Sequence, residues 1–425
     1  MDALKIIGGT KLQGEVTVSG SKNSVLPLMC AAILGQSPSV LKNVPRLRDV
    51  FTMIEILNSL GAKAAFTDEH TLEVDPRSIH SSEAPYELVK KMRASVCTLG
   101  PLFAKFGAAK VSLPGGCVIG PRPVDIHLKG MKALGAEIKI NHGYILIQGK
   151  PVGAEIFLGG RFGSSVTATA NVLMAATLAT GKTVIESAAM EPEVSDLANF
   201  LNTMGAKISG IGSHVLTVTG VPTLQGATYS VIPDRIEAGT FLIAAAITQG
   251  NLLVQGVEVR HQRALMDKLW EAGIQVTLEK NSLRVKASKR PHAVDIITLP
   301  YPGFPTDLQA QMMALLSLSD GISVITEKIY PERFMHISEM NRMGANISLE
   351  NSTAIIKGSP ALSGAPVMAS DLRASAGLVL AALVAEGEST IDRIYHLDRG
   401  YERIEEKLSS VGARISREKG SPITP

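Results

Sequence analysis

At 425 residues, with 45% hydrophobic and 19% charged side chains, the chain is long enough for two or three domains with ordinary cores. Its 42 basic and 39 acidic residues leave a formal charge of +3, too balanced to make nucleic acid or a membrane surface the main partner. The opening MDALKIIGG has no secretory pattern, and the longest apolar run, VLPLMCAAILG (25–35), is too short to span a bilayer. Three scattered cysteines, Cys30, Cys97 and Cys117, read as reduced thiols in a cytoplasmic protein. No HExxH, Cys/His cluster, P-loop or GxGxxG occurs, so the expected cofactor and metal complement is none.

Taken in chain order, the predicted elements repeat six times. Amphipathic stretches end in LNSLGAK, MKALGAE, LNTMGAK, LWEAGIQ, MNRMGAN and LSSVGAR, with glycines at Gly61, Gly135, Gly205, Gly273, Gly344 and Gly412, 68 to 74 residues apart. More apolar helices end in phase with them at Gly35, Gly107, Gly181, Gly250, Gly321 and Gly387, where a left-handed C-terminal cap is expected. A β-branched run follows each apolar helix. A hairpin such as EIKINHGYILIQG, turning at His142-Gly143, follows each amphipathic one. Each unit therefore reads helix, strand, helix, strand, strand. The last copy, ending RISREKGSPITP, lacks its second hairpin strand, and LKIIGG (4–9) can supply it. The N-terminus is expected to complete the sixth unit, with the chain dividing near 229–233.

The repeats also align their charges. Thirteen residues before the first glycine set stand Arg48, Arg122, Pro192, Arg260, Pro331 and Arg399, with Arg333 close after Pro331 and Glu191 and Glu193 flanking Pro192. At the starts of the apolar helices stand Lys22, Arg93, Ser165, Asp234 with Arg235, Asp307, and Asp371 with Arg373. Helix N-termini favour anions, and a cation there opposes the helix dipole. Any one loop arginine is more often simply solvated. The whole set, in two equivalent positions, points to a multiply anionic ligand. Cys117, in LPGGCVIGPRPVD, follows a flexible turn and sits among cations that favour thiolate. Cys30 and Cys97 lie within apolar helical patterns and read as core.

At these residues the sequence resembles the UDP-N-acetylglucosamine 1-carboxyvinyltransferase family of enolpyruvyl transferases. The likeness runs through KLQGEVTVSGSKN (11–23), LVKKMRASV (88–96), SLPGGCVIGPRPVD (112–125), VIPDRIEAGTF (231–241) and FPTDLQAQ (304–311). It continues through ERFMHISEMNRMGA (332–345), VMASDLRASAGLVLA (367–381) and IYHLDRGYERIEEKL (394–408). It implies an α/β fold, the inside-out α/β barrel, with two domains each of three βαβαββ repeats: 22–230, carrying the Cys117 loop, against 1–21 with 231–425. It implies transfer of the enolpyruvyl group of phosphoenolpyruvate to the sugar 3′-hydroxyl, the first committed step of peptidoglycan synthesis. Roles in cell wall biogenesis, cell shape and cell division, and inhibition by fosfomycin, come with it.

Carried over residue by residue, the resemblance assigns phosphoenolpyruvate contacts to Lys22, Asn23, Arg93, Arg122, Arg333, Arg373 and Arg399. It assigns nucleotide-sugar contacts to Asn23, Arg93, Arg122, Pro123, Val124, Asp125, Gly163, Ser164, Ser165, Val166, Asp307 and Ile329. Asp307 is the candidate base and Cys117 the favoured acid, with Lys22 the other candidate; Lys22, Arg122 and Arg399 clamp the anion. The stretch GRFGSSVTATAN departs from the family's lysine-containing KVSVGAT: Gly163 stands at the lysine position, Thr167 replaces a glycine, and Arg161 is the nearest substitute cation. Two other readings stand beside this one. A 5-enolpyruvylshikimate-3-phosphate synthase is not expected to carry the Cys117 loop. A non-catalytic nucleotide-sugar-binding repeat protein would have no need of Lys22, Cys117, Asp307 and Arg399 together.

Overall fold

The computed structural model describes residues 2–113 and 124–419. They form an α/β fold whose strands build six four-stranded mixed sheets among the described residues. The described chain separates into two compact units: one runs from Gly20 to Ile232, and the other joins residues up to Ser19 with those from Pro233 onward.

All six sheets share one plan: an antiparallel pair, a hairpin in all but the sixth, then a central strand antiparallel to it, and a parallel edge strand. In the first repeat, Ser39–Lys42 pairs antiparallel with Leu72–Asp75, which pairs with Lys63–Phe66. The parallel edge is Thr228–Ser230, returning from the end of the third repeat. In the sixth repeat, Ala3–Ile7 lies between Glu388–Asp392 and Arg414–Glu418, pairing Leu4 with Ile391 and Ile6 with Ile415. This is the N-terminal strand that the truncated last hairpin called for. A second N-terminal strand, Gln13–Thr17, runs parallel to Asn251–Gln255 and completes the fourth repeat. The repeat pattern alone did not reveal the parallel edge strands. Glu83–Ala84 and Ile296–Ile297 have only two residues each, too few to show a periodicity.

Each unit has its own core, built around its apolar helices. In Leu372–Ala382 all eleven residues are buried, and in Arg235–Ile247 everything from Ile236 onward is. Helices apolar on every side must be covered on every side. Gly377 lets one of them approach the next closely, since a Cβ there would stand 2.8 Å from the Ala310 carbonyl oxygen. The asparagines of LNSLGAK, LNTMGAK and MNRMGAN fasten helix to hairpin: Asn58, Asn202 and Asn341 each bond both the N–H and the C=O of the residue six positions on.

The six glycines ending the amphipathic helices all have positive φ, between 80° and 106°. The second set is different. Gly107, Gly181 and Gly387 are left-handed as expected, but Gly35 has φ −67° and Gly250 and Gly321 are not left-handed either. At Gly250 the reason is crowding: Gln249 takes the left-handed position with φ 50°, and a Cβ on Gly250 would stand 2.2 Å from the Leu12 carbonyl oxygen.

Candidate functional site

In the unit from Gly20 to Ile232, Ser21 caps the helix Lys22–Ala31 by accepting the Ser24 amide at 3.3 Å, which puts Lys22 and Asn23 in its first turn. The Lys22 ammonium lies 3.1 Å from the Asp49 carboxylate, itself in the first turn of Arg48–Ser59; the two side chains are only 13% and 4% exposed. The cation that opposes one helix dipole is thus balanced by an anion that favours the next. Arg93 does not begin its apolar helix. It opens the 3-10 turn Arg93–Thr98, and the α-helix follows at Leu99.

The stretch Gly163–Val166 leads from a tight turn into a helix. Gly160 and Gly163 exchange backbone hydrogen bonds of 2.9 and 3.1 Å, and Gly163 has φ 94°. Ser165 then caps Val166–Ala176 by accepting the Ala168 amide. Arg161 and Phe162 occupy the exposed tip, the guanidinium carbon 5.4 Å from the ring centroid. Val124 is buried, and Asp125 is exposed in the first turn of Asp125–Ala133. Two residues on, His127 is buried; burial first, and Arg93 second, pull its imidazole down to about 3. Cys30 and Cys97 are buried as expected, and burial raises both thiols, Cys97 to about 12. Cys117, Arg122 and Pro123 lie outside the described residues.

In the other unit, Asp307 stands in the 3-10 turn Thr306–Leu308, ahead of the helix Gln309–Leu316. Its carboxylate meets Arg333 Nη1 at 2.7 Å and Arg373 Nη2 at 3.2 Å. The arginine side chains are 6% and 2% exposed, against 25% for Asp307. Burial opposes both guanidinium charges, and Asp307 leads the groups that outweigh it, so both are raised. Asp371 caps Leu372–Ala382 through the amides of Arg373 and Ala374, placing Arg373 in the first turn with its guanidinium carbon 5.4 Å from the Tyr401 ring centroid. His336, buried nearby in sequence, is drawn down to about 4, chiefly by burial. Arg399 ends the 3-10 turn Ile394–Arg399 and is partly exposed.

Ile329 is tied to Asp307 by a residue that sequence reasoning missed. Glu327 is fully buried and accepts the amides of Ile329 and Tyr330 at 2.8 and 2.9 Å. It also accepts the hydroxyls of Thr298 at 2.6 Å and Thr306 at 2.8 Å, and Arg333 in turn donates to Thr306 at 3.1 Å. Nothing in ITEKIY marks that glutamate as buried, so no sequence signal could have found it. His127 and Asp49 were missed for the same reason.

The enolpyruvyl transferases described as EPSP synthase (3-phosphoshikimate 1-carboxyvinyltransferase) match this sequence over residues 6–408, nearly its whole length. The chain belongs to the enolpyruvyl transferase family. Within that family it is 54% identical over 420 residues to a UDP-N-acetylglucosamine 1-carboxyvinyltransferase of Trichlorobacter lovleyi, covering 98% of this chain and 99% of that one. A relative of the same name from Coxiella burnetii is 53% identical over 98% of this chain and 96% of its own. Among solved structures, the enolpyruvyl transferase NikO from Streptomyces tendae superposes with a TM-score of 0.89 at 24% identity, covering 99% of each chain. An EPSP synthase from Acinetobacter baumannii superposes with a TM-score of 0.77 at 17% identity over 99% of this chain and all of that one. At these identities the two structures speak for the fold.

Proposed function

We propose that this enolpyruvyl transferase moves the enolpyruvyl group of phosphoenolpyruvate onto the 3′-hydroxyl of UDP-N-acetylglucosamine and releases phosphate. The observation that carries this reading is full-length identity above half to relatives named for that acceptor. The reaction is an addition followed by an elimination. Asp307 takes the proton of the 3′-hydroxyl as its oxygen bonds to C2 of phosphoenolpyruvate, and Cys117 delivers a proton to C3. The C2–O bond to phosphate then breaks, a C3 proton leaves, and the enol ether remains. Lys22, Arg122 and Arg399 hold the phosphate through both steps, with Arg93, Arg333 and Arg373 adding cationic surroundings. Asn23 and Asp307 meet the sugar. Val124, Asp125, Gly163, Ser164, Ser165, Val166 and Ile329, with Arg122 and Pro123, receive the nucleotide. The pairing of Asp307 with Arg333 and Arg373 fixes where its carboxylate can point.

In the same reading the chain is a pair of inside-out barrel domains, 22–230 and 1–21 with 231–425, acting in the cytoplasm in peptidoglycan synthesis. The test is phosphate release from phosphoenolpyruvate with either UDP-N-acetylglucosamine or shikimate 3-phosphate as acceptor. Turnover with the nucleotide sugar alone is expected. Turnover with the shikimate ester would move the chain to the other branch of its family, and none with either would favour a binding protein. Cys117→Asp should keep turnover, because a carboxyl also delivers a proton, and should remove inhibition by fosfomycin. Full activity of Cys117→Ala at every pH would overturn the acid assignment.

A further inference from the structure

Threonines inside helices commonly return their hydroxyl hydrogen to a carbonyl one turn back. Thr52, Thr203, Thr240 and Thr248 do so here, onto Arg48, Asn199, Ile236 and Ala244. Thr167, in the first turn of Val166–Ala176, does not. The carbonyl four residues back belongs to Gly163 and already accepts the Gly160 amide. Thr167 Oγ1 instead lies 3.1 Å from His127 Nε2, its one side-chain hydrogen bond among the described residues.

The direction of that bond follows from the groups behind it. Asn171 is fully buried, and its Oδ1 accepts the Gly100 amide at 2.8 Å. Its Nδ2 therefore carries the two hydrogens, donating one to the Val96 carbonyl at 2.9 Å and one to His127 Nδ1 at 2.8 Å. His127 is neutral at physiological pH, so it holds a single ring hydrogen. With Nδ1 accepting, that hydrogen is on Nε2 and points at Thr167. Thr167 Oγ1 is thereby committed as an acceptor, and its own hydrogen is left to donate elsewhere. The side chain is partly exposed, at a helix N-terminus where anions are favoured.

We propose that Thr167 donates its hydroxyl hydrogen to a phosphate oxygen of the nucleotide sugar, with His127 and Asn171 as positioning residues that hold it in that orientation. The inference rests on the proposal that Gly163–Val166 receives the nucleotide. It separates Thr167 from Arg161, whose exposed side chain lies against Phe162.

The test is calorimetric titration of UDP and of uridine into the wild-type protein, Thr167→Val and Thr167→Ser. Thr167→Val should weaken UDP roughly tenfold, as loss of a hydrogen bond to a charged group does, and leave uridine unchanged. Thr167→Ser should bind UDP like the wild type, and the KM for phosphoenolpyruvate should not move in either variant. Equal UDP affinity in wild type and Thr167→Val, or an equal loss for uridine, would overturn the inference. So would a nitrogen NMR spectrum of wild-type His127 showing the hydrogen on Nδ1, a measurement independent of how the variants fold. A wild type that binds no UDP would overturn the nucleotide-sugar reading and this inference together. A missing valine effect in a wild type that does bind UDP would sink this inference alone.

Discussion

Arg333 donates from Nη1 to Asp307 Oδ1 across 2.7 Å, and the arginine is the more deeply buried of the two. The carboxylate therefore compensates charge for the fold as well as standing where a base is needed. Asp307→Asn should lower kcat for phosphate release by roughly 10²–10⁴-fold, the usual worth of a positioned base. It should also cost roughly 2–4 kcal/mol of stability, because Arg333 and Arg373 would lose their nearest anion. Stopped-time phosphate assays and denaturant unfolding would check the two effects separately. A variant that loses stability but keeps kcat would assign Asp307 to charge compensation alone.

Lys22 is held by Asp49 at 3.1 Å, so Asp49 should matter without touching substrate. Asp49→Asn is expected to raise the KM for phosphoenolpyruvate by about tenfold by loosening the ammonium, the effect of losing one charge-assisted bond. The KM for the nucleotide sugar should stay within about twofold. Initial-rate kinetics with each substrate varied in turn would decide this, and an equal rise in both would point to a wider disturbance.

Glu327 gathers four donors, two of them the amides that shape the chain at Ile329. Glu327→Gln puts an NH2 group where one carboxylate oxygen accepted. The expected cost is roughly 1–3 kcal/mol of stability. A raised KM for the nucleotide sugar should accompany it, with the KM for phosphoenolpyruvate less affected. Thermal unfolding beside the same two-substrate kinetics would measure both.

Two buried imidazoles make the fold sensitive to acid. His127 is drawn down to about 3 and His336 to about 4, each from an ordinary value of 6.5. Between those values the unfolded chain binds protons that the folded chain refuses, so folding stability rises with pH there. The stabilisation is fully present above about pH 6.5 and is lost as pH falls toward 4 and then 3. Tm should fall steadily from pH 7 to pH 5, and His336→Asn should flatten that fall while lowering Tm at neutral pH. An unchanged slope in the variant would remove His336 from the explanation.

What the sequence revealed, and what it hid, follows from the range of each signal. The six glycines from Gly61 to Gly412 were legible because a left-handed residue after a helix constrains residue type strongly. The strand Ala3–Ile7 was legible because five repeats showed what the sixth lacked. The parallel edge strands were not, since all but Gln13–Thr17 have only two or three residues, and Gly250 was misread because its role is to clear space for Leu12, 238 residues away. Among the candidate residues, the cations stood out because repeats placed them in register. The groups that orient them did not. Asp49, Glu327 and His127 are set by burial and by partners distant in sequence, and a single chain carries no mark of either.

The two strands at the start of the chain set an order for its synthesis. The unit from Gly20 to Ile232 has all its described strands within that span, so it can close while the remainder is still being translated. Ala3–Ile7 leaves the ribosome well before its neighbours, Glu388–Asp392 and Arg414–Glu418. Until those residues emerge, Ala3–Ile7 remains an unpaired strand with Leu4 and Ile6 uncovered, open to chaperones, proteases and strands of other nascent chains; Gln13–Thr17 waits only for Asn251–Gln255. A circular permutant that opens the chain between Ser19 and Gly20 and joins the old termini would move Ala3–Ile7 beside its partners and let Gln13–Thr17 emerge after its own, and should fold with less aggregation when synthesis is fast.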